Sequence, residues 1–197
     1  MDWDYLKSQN GDVVAWIYSP GVFTYPVVQT TDNDFYLHRG FDRQPNTSGT
    51  LFADPSSTVG VTFSNFIIYG HNMKDGSMLA AAEKYMDQSF YEQHPSMWFV
   101  TPYGDYKVEL IAGHITESSL NNYPGYFDGD SDYMNYMNKV TSHSTFSTHA
   151  ELSTEYQLIT MSTCDYSSNF RDPRYLLQGL MIPVGEESPA DNTDNVG

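Results

Sequence analysis

The run LITMSTC, residues 158–164, is strongly apolar and ends on the only cysteine of the chain. A polar loop follows it, and a second apolar run, YLLQGLMIP, covers residues 175–183. Apolar runs bounded by turn residues predict strands, here at 156–162 and 175–183. If these two strands pair antiparallel, Arg174 at the start of the second one lies beside the strand end that carries Cys164.

Six further runs of apolar, β-branched and aromatic residues predict additional strands. They cover residues 13–18, 25–29, 49–53, 65–71, 97–101 and 106–116. About eight strands with only a few helices favour a mainly β fold of the α+β kind, in which a mixed sheet closes or nearly closes into a barrel. The alternation of strands and helices that is typical of open parallel sheets is not indicated.

Helical spacing is confined to a few segments, at residues 2–10, 35–37, 76–94 and 130–143. In the last of these, four residues fall on one face: Tyr133, Tyr136, Met137 and Val140. The acidic stretch at 128–132 imitates the start of a calcium loop, but the glycine and the glutamate that such a loop requires are missing. We therefore expect this stretch to cap the helix that follows it.

The chain contains no internal repeat and no long linker before its polar end. Its 197 residues are typical of one domain. The last residues, GEESPADNTDNVG at 185–197, are polar and rich in turn residues. We expect one catalytic domain over residues 1–184 and a disordered tail over 185–197.

The charge balance excludes some classes of partner. There are 25 acidic residues against 9 Lys and Arg, a net charge of -16. Binding to nucleic acid or to anionic lipid needs clustered cations, and the sequence has no such cluster. No window of 18 apolar residues and no signal-like start is present. We expect either a cytosolic protein or an extracellular domain whose N-terminal signal or anchor has been removed.

Cys164 is the first candidate for chemistry, because a side chain at the end of a strand is rigidly placed and accessible. The alternative is a buried and inert thiol. A reactive thiol needs a base, and His71 is the best placed of six histidines because it ends a strand and precedes a polar loop. An arginine could stabilise an oxyanion, and both Arg171 and Arg174 follow the cysteine.

Four of the five remaining histidines are predicted to have other roles. His94 terminates a helix, His114 is structural, and His143 and His149 are solvated. A single cysteine cannot build a thiolate zinc site, and no phosphate-binding or dinucleotide-binding glycine loop is present. The sequence therefore predicts neither a metal nor a cofactor.

Several segments together resemble the sortase family. The pentapeptide TMSTC at 160–164 is similar to the TLxTC signature of sortases, with Met161 in place of leucine. The segment IYGHNMKDGSM at 68–78 is similar to the strand and loop that carry the sortase histidine, and it is especially like class B sortases. Further class B segments follow the same order along the chain: VAWIY at 14–18, YPVVQ at 25–29, DNDFYL at 32–37 and TPYGDY at 101–106.

The resemblance covers roughly residues 5–183 and implies an eight-stranded β-barrel with peripheral helices. A helix inserted before the cysteine strand, as in class B enzymes, corresponds to residues 130–143. By matching positions, Cys164 is the nucleophile, His71 the general acid and base, and Arg174 the oxyanion-stabilising cation. The residues that the resemblance matches to substrate-binding positions of the family are Asn33, Leu37, Tyr123 and Ser162.

The resemblance implies cysteine transpeptidation at the outer face of a Gram-positive cell membrane. The partners would be secreted proteins with a C-terminal sorting motif and an amine acceptor from a cell-wall peptide or a pilin. Contact with the membrane would come only through an N-terminal anchor that this chain lacks. Two alternatives remain open: a cysteine hydrolase with the same catalytic residues, and a non-catalytic barrel that binds glycan or protein through its tyrosines.

Overall fold

A computed structural model describes residues 1–119 and 121–185. The predicted disordered tail at 185–197 lies, apart from Gly185, outside these residues. The described part contains a closed barrel whose strand order is β1-β2-β3-β4-β7-β8-β6-β5. The strands are β1 (Val13–Ser19), β2 (Phe23–Val28), β3 (Leu51–Ala53), β4 (Asn65–Tyr69), β5 (Ser96–Thr101), β6 (Gly104–Glu117), β7 (Gln157–Cys164) and β8 (Pro173–Pro183).

Three α-helices and two 3₁₀ helices lie around the barrel in the described ranges. The α-helices are α1 (Trp3–Gln9), α2 (Gln88–Gln93) and α3 (Asp130–Ser142), and the 3₁₀ helices are Phe35–His38 and Leu79–Met86. None of these helices is long and apolar enough to cross a bilayer. The closed barrel and the helices around it confirm the prediction of a mainly β barrel with peripheral helices.

The segment at 76–94 divides into two helices of different kinds. Its first part is a 3₁₀ helix, in which Leu79, Ala82 and Tyr85 are buried. These side chains recur every three residues, which is the period of a 3₁₀ helix. The second part is α2, which ends at His94 as predicted, since the backbone N–H of His94 donates to the carbonyls of Phe90 and Tyr91.

Helix α3 explains why β7 and β8 are continuous apolar runs. Its buried face packs against Leu158 of β7 and Leu180 of β8 on the outside of the barrel. Strands that are covered on both faces lose the alternation of apolar and polar residues. The four residues that the sequence places on the inner face of this helix are all buried: Tyr133, Tyr136, Met137 and Val140.

A row of buried polar side chains crosses this side of the barrel. Gln178 of β8 donates to the hydroxyl of Thr160 in β7 at 2.8 Å. That hydroxyl donates to the side-chain oxygen of Asn65 in β4 at 2.8 Å. Buried polar groups are costly when unpaired, so this row favours one alignment of the three strands.

The alignment of these strands brings the candidate residues to one rim. Strands β4 and β7 are parallel, with Tyr69 opposite Ser162. Since parallel neighbours end at the same edge of a sheet, His71, two residues beyond β4, and Cys164, the last residue of β7, lie at the same end of the barrel. Strand β8 is antiparallel to β7 and places Arg174 directly opposite Cys164, as the sequence predicted.

Candidate active site

A cleft of about 490 Å³ opens at this rim of the barrel. All seven side chains that the sequence singled out as site residues line it: Asn33, Leu37, His71, Tyr123, Ser162, Cys164 and Arg174. They come from the loop and the 3₁₀ helix Phe35–His38 after β2, from the ends of β4, β7 and β8, and from the loop after β6. The cleft thus collects residues that are up to 141 positions apart, from 33 to 174, in the chain.

Cys164 and Arg174 are in direct contact. Nη1 of the guanidinium donates to Sγ at 3.1 Å. An ion pair with Asp172, 2.9 Å between Nη1 and Oδ1, holds the arginine from the solvent side. Arg171, the competing arginine of the sequence analysis, is exposed. The guanidinium of Arg174 is therefore the cation that lies next to the thiol.

His71 is oriented by a backbone carbonyl. Its Nε2 lies 2.7 Å from the carbonyl oxygen of Leu37. Because a carbonyl oxygen can only accept, Nε2 carries the proton in this contact, and Nδ1 is the nitrogen that can exchange a proton with a substrate. The ring of His38 stacks against that of His71 with 6.0 Å between the centroids.

Asp54 orients two other residues that line the cleft, Asn33 and Tyr69. Its Oδ2 accepts from the side-chain amide of Asn33 at 3.0 Å and from the hydroxyl of Tyr69 at 3.2 Å. Burial alone would raise the pKa of Asp54, but hydrogen bonds from Ser56, Asn33 and Tyr69 outweigh it and hold the pKa below its usual range. Burial, and then the charge of Asp54, raise the pKa of Tyr69. Asn33 therefore presents its amide to the cleft in a fixed orientation.

Ser162 and Tyr123 form a more enclosed part of the cleft. Both are buried, and Tyr123 packs against Ile67 and Leu176. The hydroxyl of Ser162 has no hydrogen-bond partner among the described residues. A buried hydroxyl without a partner is unusual, so this side chain has unused capacity for a ligand in the cleft.

Three of the other histidines are placed as predicted, away from the residues that line the cleft. His114 is buried in β6, and burial lowers its pKa to about 4. His143 and His149 are exposed, and His149 pairs with Glu92 at 2.8 Å.

The sequence analysis did not single out Asp54, which lines the cleft, or three residues that lie near Cys164 in space or in the chain: Asn72, Glu83 and Tyr166. Partial burial, and then the neighbouring Cys164, raise the pKa of the largely exposed Tyr166. Asn72 donates to the carbonyl oxygen of Cys164 at 2.8 Å. The contact between Asn72 and Cys164 joins residues that are 92 positions apart in the chain, and no local pattern indicates it. The only available signal was that Asn72 adjoins His71 and Tyr166 adjoins the cysteine strand.

Solved structures share this barrel. A Staphylococcus aureus sortase B–substrate complex superposes with a TM-score of 0.85 and 28% identity, over 92% of this chain and 85% of that one. Clostridium perfringens sortase B gives a TM-score of 0.83 and 27% identity, over 91% of this chain and 98% of that one. The barrel is thus that of a sortase, a class of cysteine transpeptidases.

Curated relatives identify the class within this family. Sortase B of Listeria monocytogenes is 33% identical over 178 residues, which are 90% of this chain and 72% of the relative. Sortase B of Staphylococcus aureus is 29% identical over 91% of this chain and 74% of the relative. No family model matches the chain. The chain belongs to the class B sortases, and the resemblance stated from its sequence is confirmed.

Proposed function

We propose that Cys164, His71 and Arg174 carry out transpeptidation at a sorting motif through a thioacyl-enzyme intermediate. The observation that carries this proposal is the 3.1 Å contact between Nη1 of Arg174 and Sγ of Cys164, in a cleft that His71 also lines. Membership in the sortase family supports an enzyme rather than a non-catalytic binding barrel.

In the first half-reaction, the thiol of Cys164 gives its proton to Nδ1 of His71, and Sγ attacks the carbonyl carbon of the scissile peptide bond. The resulting oxyanion collapses, the C–N bond breaks, and His71 donates a proton to the departing amine. The product is a thioester on Cys164. In the second half-reaction, His71 takes a proton from an incoming amine, which attacks the thioester carbonyl and expels the sulfur. One amide is broken and one is formed, so the exchange needs no external oxidant or energy source.

Arg174 supports both half-reactions by electrostatics. A guanidinium carries five N–H donors in a planar fork, so one N–H can contact the sulfur while another contacts an oxyanion. Its ion pair with Asp172 holds the fork beside Cys164. Fixed donors of this kind need no reorientation as charge develops, which is why they lower the barrier.

Replacing Arg174 with lysine is expected to lower kcat/KM by about 10²-fold or more. Lysine keeps the charge but offers a single ammonium, which cannot contact sulfur and oxyanion in the same geometry. Arg171→Lys is the matched control, and its exposed position predicts a change within about twofold. Steady-state kinetics of both variants with one peptide would test this. A near-normal Arg174→Lys beside an inactive Arg171→Lys would assign the role to the other arginine.

The substrate would lie along the four other predicted residues. Leu37 offers an apolar contact, and the hydroxyl of Ser162 and the amide oxygen of Asn33 offer polar ones. Tyr123 closes one end of the cleft beside Leu176. This mix of one apolar wall and a few oriented polar groups is typical of sites that bind a short extended peptide.

The proposed partners follow from the reaction. They are secreted proteins with a C-terminal sorting motif, and a cell-wall peptide or pilin that supplies the amine. Such an enzyme acts on the outer face of the membrane, where sortases of Gram-positive bacteria work. The similar Staphylococcus aureus sortase B has been solved as a complex with its substrate, which supports a substrate that binds in the corresponding cleft of this chain.

A peptide library tests the function directly. We expect cleavage of a subset of sorting-like peptides, and in the presence of an amine acceptor we expect a ligated product detectable by mass spectrometry. Cleavage without ligation, over a range of acceptors, would instead identify a cysteine hydrolase. Absence of cleavage across the whole library would reject the proposal.

A further inference from the structure

The side chain of Asn72, which directly follows His71, reaches the backbone of Cys164. Its Nδ2 donates to the carbonyl oxygen of Cys164 at 2.8 Å and to Oε1 of Glu83 at 2.5 Å. We propose that Asn72, anchored by Glu83, is a positioning residue that fixes the nucleophile relative to the base. This inference rests on the proposed roles of Cys164 and His71.

The peptide group at the end of β7 is restrained on both sides. Asn72 holds the carbonyl of Cys164, and the following N–H, that of Asp165, donates to the carbonyl of Pro173 at 3.0 Å. With both polar groups of this peptide engaged, rotation of the backbone at Cys164 is opposed in both directions. The thiol is thereby held towards Arg174, where Sγ receives its hydrogen bond.

The segment around Asn72 also holds His71, the proposed base. The carbonyl of His71 accepts from the N–H of Leu79 at 3.0 Å, and Asn72 forms an isolated antiparallel bridge with Met78. Leu79 begins the 3₁₀ helix that also carries Glu83. This one short helix therefore supports His71 through its first residue and Cys164 through Glu83 and Asn72.

The residue types suit this arrangement. An asparagine amide has two N–H donors on one nitrogen, and here one serves the carbonyl of Cys164 and the other the carboxylate of Glu83. Glu83 is half-buried, and burial, together with the charge of Asp165, raises its pKa. Asp165 is itself engaged by hydrogen bonds from Ser167 and Ser168, so it does not compete for Asn72.

If Asn72 had a purely structural role, its replacement would lower stability without a specific effect on turnover. Measuring turnover therefore separates a structural role from a positioning role. Asn72→Ala removes both donors without adding charge. We expect kcat to fall about 10- to 100-fold while KM changes less than about threefold, because misplacement of reacting groups affects the chemical step. Glu83→Gln retains an oxygen acceptor and should keep most of kcat, whereas Glu83→Ala should approach Asn72→Ala.

The control is Asn46→Asp, in an exposed loop where the side-chain oxygen that accepts from the N–H of Ser48 is preserved. It should behave as wild type. All assays run well below the thermal unfolding midpoint of each variant. Unchanged kcat in Asn72→Ala, or equal losses in Glu83→Gln and Glu83→Ala, would overturn the proposal.

A second measurement needs no peptide. Once released from Asn72, the end of β7 can move Sγ away from the guanidinium, and alkylation of Cys164 by iodoacetamide at pH 7 should slow by about threefold or more. If the wild-type enzyme cleaves no peptide but its Cys164 is still alkylated faster than that of Asn72→Ala, the result would count against the proposed function alone. Normal turnover and normal alkylation in Asn72→Ala would count against the positioning role alone.

Discussion

Replacing Cys164 with alanine is expected to abolish peptide cleavage, at least about 10⁴-fold, and to leave the barrel folded. The change removes one sulfur atom at the end of β7, where the side chain is only partly buried, so the loss of packing is small. The hydrogen bonds that fix the strand end use the backbone of Cys164 and survive the replacement. Turnover and thermal unfolding, measured on the same preparation, check both halves of this expectation.

A matched variant strengthens the test. Cys164→Ser keeps an oxygen at the position of Sγ, but a serine hydroxyl is a much weaker nucleophile at neutral pH. It should be as inactive as the alanine variant. Wild-type cleavage by Cys164→Ala would show that the nucleophile lies elsewhere and would remove the basis of the enzymatic mechanism.

Replacing His71 with alanine is expected to reduce turnover by about 10²–10⁴-fold, which is the usual contribution of a general acid and base. The ring is already oriented by the carbonyl of Leu37, so the loss reflects proton transfer and not the collapse of a buried network. The rate should be measured with saturating peptide, since the effect belongs to the chemical step.

Three other histidines provide controls for this variant: His94, His143 and His149. His94 closes α2 through its backbone N–H, which alanine retains. His143 and His149 are exposed, and the pair between His149 and Glu92 is of a kind that contributes little. Each alanine variant should stay within about twofold of wild type. A loss comparable to that expected for His71 in any of them, with His71→Ala still active, would reassign the base.

Most strands were predictable because their residues repeat apolar patterns between turn signals. The errors are at the strand ends. Strand β4 ends at Tyr69, so the prediction that His71 ends this strand was wrong, and His71 lies two residues beyond it. Strand β7 continues through Thr163 to Cys164, and β8 begins at Pro173. These additional residues are paired with one another across the two strands. Pairing of this kind depends on the neighbouring strand, which a local pattern does not contain.

The candidate site was predicted by a different route. Periodicity indicated one strand that leads towards Cys164 and another near His71, but it did not indicate that these two strands are parallel neighbours. The family resemblance assigned Cys164 and His71 to one catalytic site by matching positions, and the parallel pairing of their strands is a finding of the structure. The contacts of Asn72 and Glu83 were missed for a physical reason, since Asn72 and Cys164 are 92 positions apart and meet only when the barrel closes.

The buried row of Gln178, Thr160 and Asn65 has a consequence for the chemistry at the rim. A shift of one residue between β7 and β8 would turn every side chain of the shifted strand to the opposite face, and it would move Arg174 away from Cys164. Such a shift would also break the hydrogen bonds of the buried row. The row thus acts as a register lock, through which three uncharged side chains deep in the sheet set the distance between a thiol and a guanidinium that they never touch.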